Sequence, residues 1–201
     1  MDDDAEKLVR DISVCRICEE RFAKTATQHQ PRPVVWLDPK LPRTPILIAG
    51  QAPGARVHES ARPFTDPSGD RLRDWLGINS TVFYDKRKVA IAPMAFCFPG
   101  YNAKGSDLPP PAICAKTWRT RLMQILQPAP LTLVIGGYAM KWHLGGARKV
   151  TDTVRDWKSH APAVFPLPHP SWRNTAWLKK NPWFEAELLP VLRARVQEVL
   201  K

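Results

Sequence analysis

Four short apolar runs constrain the fold of this chain more than any other feature. They are Ile46–Ala49, Val89–Ala92, Leu131–Ile135 and Val164–Leu167, closed respectively by Gly50, Pro93, Gly136-Gly137 and Pro168. Such runs are too short for a helix, and their lack of polar alternation predicts strands covered on both faces. Helical spacing lies between and beside them. Residues 69–77 place Leu72, Trp75 and Leu76 on one side, and 112–127 align Trp118, Leu122, Ile125 and Leu126. A short helix is expected after Gly136-Gly137 through Trp142, and another over 150–158. Strands separated by helices must run parallel, because only a crossover connects parallel neighbours. The expected architecture is α/β: one domain over residues 1–201, a three-layer α/β/α sandwich with a central four-stranded, mostly parallel sheet. A helix is expected over 5–22 and an extended proline-rich loop over 28–45. A last helix should be capped by Asn181, start at Pro182 and kink at Pro190.

Charge narrows the function classes. The chain has 201 residues with 30 Lys plus Arg against 19 Asp plus Glu, a formal net charge of +11. The first twenty residues hold seven acids and three bases, so the remainder carries 27 bases against 12 acids. A basic body of this kind fits a polyanion, most often nucleic acid. No apolar run approaches the roughly 18 residues that span a bilayer. The acidic start, Met1-Asp2-Asp3-Asp4, is unlike a secretory or transit peptide. A monomeric cytoplasmic protein is expected, nucleoid-associated if bacterial, acting on DNA and not on a membrane.

In a parallel sheet the site forms at the carboxyl ends of the strands. The Gly50–Gly54 turn, the Pro93–Cys97 segment and the Pro168-His169-Pro170 segment fall there. The four cysteines, Cys15, Cys18, Cys97 and Cys114, combine one C-x2-C pair with two widely spaced partners. Four thiols in an intracellular chain point to a metal site rather than disulfides. Their spacing suits zinc or an iron–sulfur cluster alike.

Gly50-Gln51-Ala52-Pro53-Gly54, then Arg62-Pro63-Phe64 and Gly69, then His169-Pro170-Ser171, resemble the motifs of uracil-DNA glycosylases of the family-4, iron–sulfur type. The cysteines follow that family's order, so the resemblance spans residues 15 to about 175. It implies a 4Fe–4S cluster on Cys15, Cys18, Cys97 and Cys114. It also implies a DNA-repair enzyme that flips a base from the stack and hydrolyses its N-glycosidic bond. Gly50, Gln51, Ala52, Phe64 and Met94 would then surround the base, with Phe64 stacking on it. His169 would donate a hydrogen bond to the departing base as negative charge develops there. Ser171, Trp172, Arg173, Asn174 and Arg62 would meet the DNA, with Trp172 or Arg173 as a wedge.

Two departures, Gln51 and Pro93, qualify the likeness, since Ala52 is shared with family 4. Gln51 replaces that family's Glu. Ala52 stands where family-1 enzymes carry a water-orienting Asp, which leaves Gln51, His58, Glu59 and Asp66 as the groups near the attacking water. Pro93 stands where family 4 keeps an Asn that reads uracil, and it has neither a side-chain amide nor an N–H. Base choice then falls to the backbone near Met94 and Ala95, or the base is another deaminated one, hypoxanthine or xanthine. The rival expectations are a catalytically weak or covalent binder of damaged or single-stranded DNA on the same fold, and, on weaker grounds, a small-molecule enzyme.

Overall fold

The computed structural model describes residues 2–41, 43–126, 128–146 and 148–201, so Pro42 of the proline-rich loop and Gln127 of the expected 112–127 helix lie outside the described residues. Four strands form one sheet: β1 (Ile46–Ala49), β2 (Val89–Ile91), β3 (Leu131–Ile135) and β4 (Val164–Leu167), in the order β2-β1-β3-β4. Every pairing is parallel, with Ile46 beside both Val89 and Leu131, and Thr132 beside Val164. The sheet is therefore wholly parallel, one step beyond the mostly parallel expectation. Pro166 is tolerated within β4 because that strand is an edge, where a missing N–H breaks no inner ladder.

The helices follow as α1 (Asp2–Ser13), α2 (Glu19–Ala23), α3 (Ala55–Ser60), α4 (Pro67–Leu76), α5 (Ser80–Phe83), α6 (Ala112–Cys114), α7 (Thr120–Leu126), α8 (Gly137–Leu144), α9 (Val150–Arg155), α10 (Thr175–Lys180) and α11 (Leu189–Val199). Alternate strand residues point to opposite faces. Ile46, Ile48, Val89 and Ile91 join Leu72 and Trp75 of α4 and Leu192 and Val196 of α11. Leu47 and Ala90 join Leu8 and Ile12 of α1 and Leu122 and Leu126 of α7. Helices thus cover both faces, giving the α/β/α layering expected from the sequence.

Several elements differ from expectation. The 5–22 helix is broken after Ser13, and Cys15 and Cys18 lie in the turn before α2. Leu8 and Ile12 are buried on one face, but Ile17, which with them suggested the longer helix, falls off that face and is exposed, as is Val14, so no packing face holds the helix through them. The helix expected over 112–127 runs unbroken from Ala112 to Leu126 but widens into a π-type turn at Ala115–Arg119. Asn181 does not cap the last helix with its side chain. Its amide donates to the Trp177 carbonyl at 2.8 Å and accepts from the Trp183 indole at 3.1 Å. Before Pro190 lies a second π-type turn, Phe184–Leu188. A wider turn there accommodates the ring and the missing N–H. The helices α3, α5 and α10 were not anticipated, being too short for periodicity to register.

Leu133 is wholly buried in β3 and Val14 is 70% exposed. Leu133→Ala should lower the unfolding free energy by about 2–5 kcal/mol. Val14→Ala should change it by less than about 0.5 kcal/mol. Urea melts of the two variants check this.

Candidate active site and thiol pocket

Parallel strands bring all their carboxyl-end loops to one rim. Two of these loops are stitched together. The Met94 N–H donates to the Gly50 carbonyl at 2.9 Å and the Ala95 N–H to the Gln51 carbonyl at 3.1 Å. Gly50 and Gln51 therefore share a wall with Met94 and Ala95. The same bonds engage the two amides to which base reading was assigned, and the Met94 side chain is buried in the core. The Pro93 carbonyl is engaged as well, accepting from Arg119 at 2.9 Å. Gln51 and Ala52, the centre of the first motif, are half-buried on this rim.

His169 follows β4 between Pro168 and Pro170, both buried. Its Nδ1 accepts the Ser171 N–H at 3.2 Å, and its carbonyl accepts from Asn174 Nδ2 at 2.7 Å. With Nδ1 an acceptor, the ring proton belongs on Nε2, which is left as a donor. Burial pushes the His169 pKa below the usual histidine range, while the fields of Asp66 and Asp107 oppose that shift. The imidazole is thus neutral and single-tautomer near pH 7. Arg71 of α4 braces the segment, donating to the Ser171 carbonyl at 2.9 Å and to Thr175 Oγ1 at 3.2 Å. Ser171 Oγ accepts from the Arg173 N–H at 3.3 Å, closing a turn that presents Trp172, 72% exposed. Arg173 lies over the Trp172 ring at 5.8 Å.

Phe64 is half-buried and sits in the left-handed region, φ +56. Three groups hold it there. Its carbonyl accepts from Tyr84 Oη at 2.9 Å and Arg73 Nη1 at 3.2 Å, and its ring meets Phe83 edge-on at 5.9 Å. Gly69 completes the clamp, since a Cβ there would stand 1.9 Å from the Phe64 carbonyl oxygen. Arg62 stacks on Tyr84 at 3.6 Å, so it shares the Phe64 cluster. Asp66 is the cap of α4: its carboxylate accepts from Ser68 Oγ at 2.7 Å and the Gly69 N–H at 3.4 Å. His58 packs with His29 and Phe98 instead, at 5.0 and 6.1 Å between ring centres. Its Nδ1 is buried without a partner, and burial lowers its pKa. Glu59, beside it on α3, is exposed. Thus Asp66 lies within the field of His169, whereas His58 belongs to a separate aromatic cluster. Arg71 and Arg73 entered the sequence reading only as scattered charges; both occur at helical spacing after Pro67, facing the motif loops.

Cys15, Cys18, Cys97 and Cys114 line a single apolar pocket with Ile17 and Trp118. All four are free thiols. Burial pushes Cys97 up to about 12, with a further rise from Cys114, and pushes Cys114 up to about 11. Among the described residues no group of three or more His, Cys, Asp or Glu is arranged to hold a metal ion. A single tetrahedral zinc would draw its sulfurs to about 3.8 Å of one another.

One family description, the Uracil DNA glycosylase superfamily, matches residues 39–193, a span that holds the turn after β1 and the histidine after β4. The chain belongs to this superfamily. The match takes in all four strands, Phe64, Cys97, Cys114 and His169, and begins after Cys15 and Cys18. Among the described residues, no helix of this glycosylase-superfamily chain is long and apolar enough to cross a membrane.

Two outcomes follow from this geometry. Gly69→Ala should cost about 2–4 kcal/mol and release Phe64 from its clamp, read as a lowered melting temperature and altered Phe64 resonances. His58, His143 and His169 all have lowered pKa values in the folded state, His143 down to about 3 through burial and Arg119. The unfolded chain therefore takes up protons first. Stability should be full above about pH 6.5 and fall as the pH drops toward the folded values. Urea midpoints between pH 8 and 4 check this, with His143→Leu flattening the slope.

Proposed function

We propose that this chain is a DNA-repair glycosylase that hydrolyses the N-glycosidic bond of uracil or a related deaminated base after flipping it from the stack. The observation that carries this reading is His169. It is a neutral, half-buried imidazole with Nε2–H free to donate, fixed at the carboxyl end of a parallel strand, the end of the sheet that also carries the first-motif loop. Cleavage of the bond leaves negative charge on the base, and a preorganised donor at its oxygen stabilises that charge as it forms. Phe64, held rigid by Tyr84, Arg73 and Gly69, offers a face for the flipped base. Gln51, a neutral acceptor on the rim, orients the attacking water rather than deprotonating it. The helix-capping Asp66 keeps its field on His169. Trp172, exposed at the end of the same segment, is the wedge, with Arg173 and Arg62 meeting phosphate and Ser171 and Asn174 shaping the turn.

We further propose a 4Fe–4S cluster on Cys15, Cys18, Cys97 and Cys114. Support comes from four free thiols that line one apolar pocket. The cluster would act as a cross-link joining the turn between α1 and α2 to the loops after β2. The chemistry at the glycosidic bond belongs to His169 and its neighbours.

A second reading has its own observation. The Met94 and Ala95 amides and the Pro93 carbonyl are all engaged within the protein. With these three groups taken, the wall reads the base edge weakly, which favours a slow enzyme or a binder of damaged or single-stranded DNA. Oligonucleotides bearing uracil, hypoxanthine or xanthine, single- and double-stranded, decide between the two. Excision should give abasic sites, with His169→Ala slower by about 10²–10³-fold. Phe64→Ala should weaken substrate binding by about 1–3 kcal/mol. A gel shift without cleavage on every substrate would favour the binder.

A further inference from the structure

A cation buried in a protein needs an anion or dense hydrogen bonding to be tolerated. Arg119 is 1% exposed and lies at the end of the π-type turn, five residues beyond Cys114. Its Nη1 donates to the Ala92 carbonyl at 2.8 Å and the Pro93 carbonyl at 2.9 Å. Its Nη2 meets His143 Nε2, and its plane lies 4.8 Å from the centre of the Trp142 ring. Every one of these partners is neutral, since burial and Arg119 itself keep His143 unprotonated. Its Nε is buried and has no hydrogen-bond partner among the described residues. Burial pulls the guanidinium down to about 10, still charged near pH 7, and the group that opposes the shift is the Cys114 thiol. Among the described residues, no carboxylate pairs with Arg119, and the acidic group whose field reaches it is Cys114, at the other end of the same π-type turn.

We propose that Arg119 is the internal counter-cation of the thiolate group on Cys15, Cys18, Cys97 and Cys114, a positioning residue rather than a ligand. The inference rests on the cluster reading above. Four thiolates around a 4Fe–4S core leave a net negative charge in an apolar pocket, and an adjacent guanidinium offsets its burial. Nearby positive charge also makes the reduced, more negative cluster easier to form. The π-type turn explains the placement: the extra residue per turn swings Arg119 inward while Cys114 stays on the pocket. Through Ala92 and Pro93 the same guanidinium holds the end of β2, so one side chain links the thiol pocket to the rim of the proposed base site.

The test compares wild type, Arg119→Lys, Arg119→Gln and Arg119→Met by iron content, cluster midpoint potential and iron loss in air, none of which depends on glycosylase activity. Wild type and Arg119→Lys should hold about four irons per chain, the cluster formula, at similar potentials. The two uncharged variants should show a more negative potential and lose iron about tenfold faster. Equal potentials and equal iron loss across all four chains would overturn the proposal. If neither uncharged variant folds, Arg119→Lys decides alone: retained iron and potential support the counter-cation, and lost iron overturns it. An iron-free wild type would instead remove the cluster reading itself, a separate and distinguishable result.

Discussion

The rest of the structure depends on a small sheet whose strands all run the same way and are covered on both faces. Parallel pairing sends every carboxyl-end loop to one rim, and burial from both sides leaves the strands no other place to offer polar groups. The turn after β1, the segment after β2 and the histidine after β4 are far apart in sequence yet fall on one edge of the sheet for this reason alone. Their mutual bonds then do the finer positioning: Met94 and Ala95 on Gly50 and Gln51, Arg71 on Ser171, Arg73 and Tyr84 on Phe64.

The two proposed centres lie on either side of the β2 end. Cys97 leaves that end for the thiol pocket, while Pro93 and Met94 face the rim of the base site. Arg119 grips the carbonyls of Ala92 and Pro93 between them. Pro93 has no N–H to give, and its one remaining polar group is taken by a buried cation. In the proposed function, recognition of the base then falls to stacking on Phe64 and charge stabilisation by His169 rather than to its edge.

Much of the fold was legible because it is written in local composition. The four apolar runs became four strands at nearly the expected residues, since a short, uniformly apolar segment between turn formers has few other ways to be buried. The first helix is shorter than the apolar content of its segment suggests, because Ile17 falls off the face of Leu8 and Ile12 and finds no surface to pack on. Asn181 and Pro182 looked like a helix start, but tertiary partners, Trp177 and Trp183, claimed the side chain first. Of the site, His169 and Phe64 stood out through motif context. Gly69 was visible as a residue but not as a necessity, because the clash that forbids a side chain there exists only once Phe64 is folded over it.

The sequence by itself determined the strands, their parallel arrangement, the basic body, the rim motifs and a set of four cysteines. Each of these follows from spacing and residue type, which act over a few neighbours. Tertiary structure alone decided the tautomer of His169, the diversion of Asp66 to a helix cap and of His58 to an aromatic cluster, and the engagement of the Met94 and Ala95 amides. It also turned Arg119 from one base among thirty into a buried cation. Hydrogen-bond partners and desolvation depend on which distant segments meet, and no local pattern carries that information.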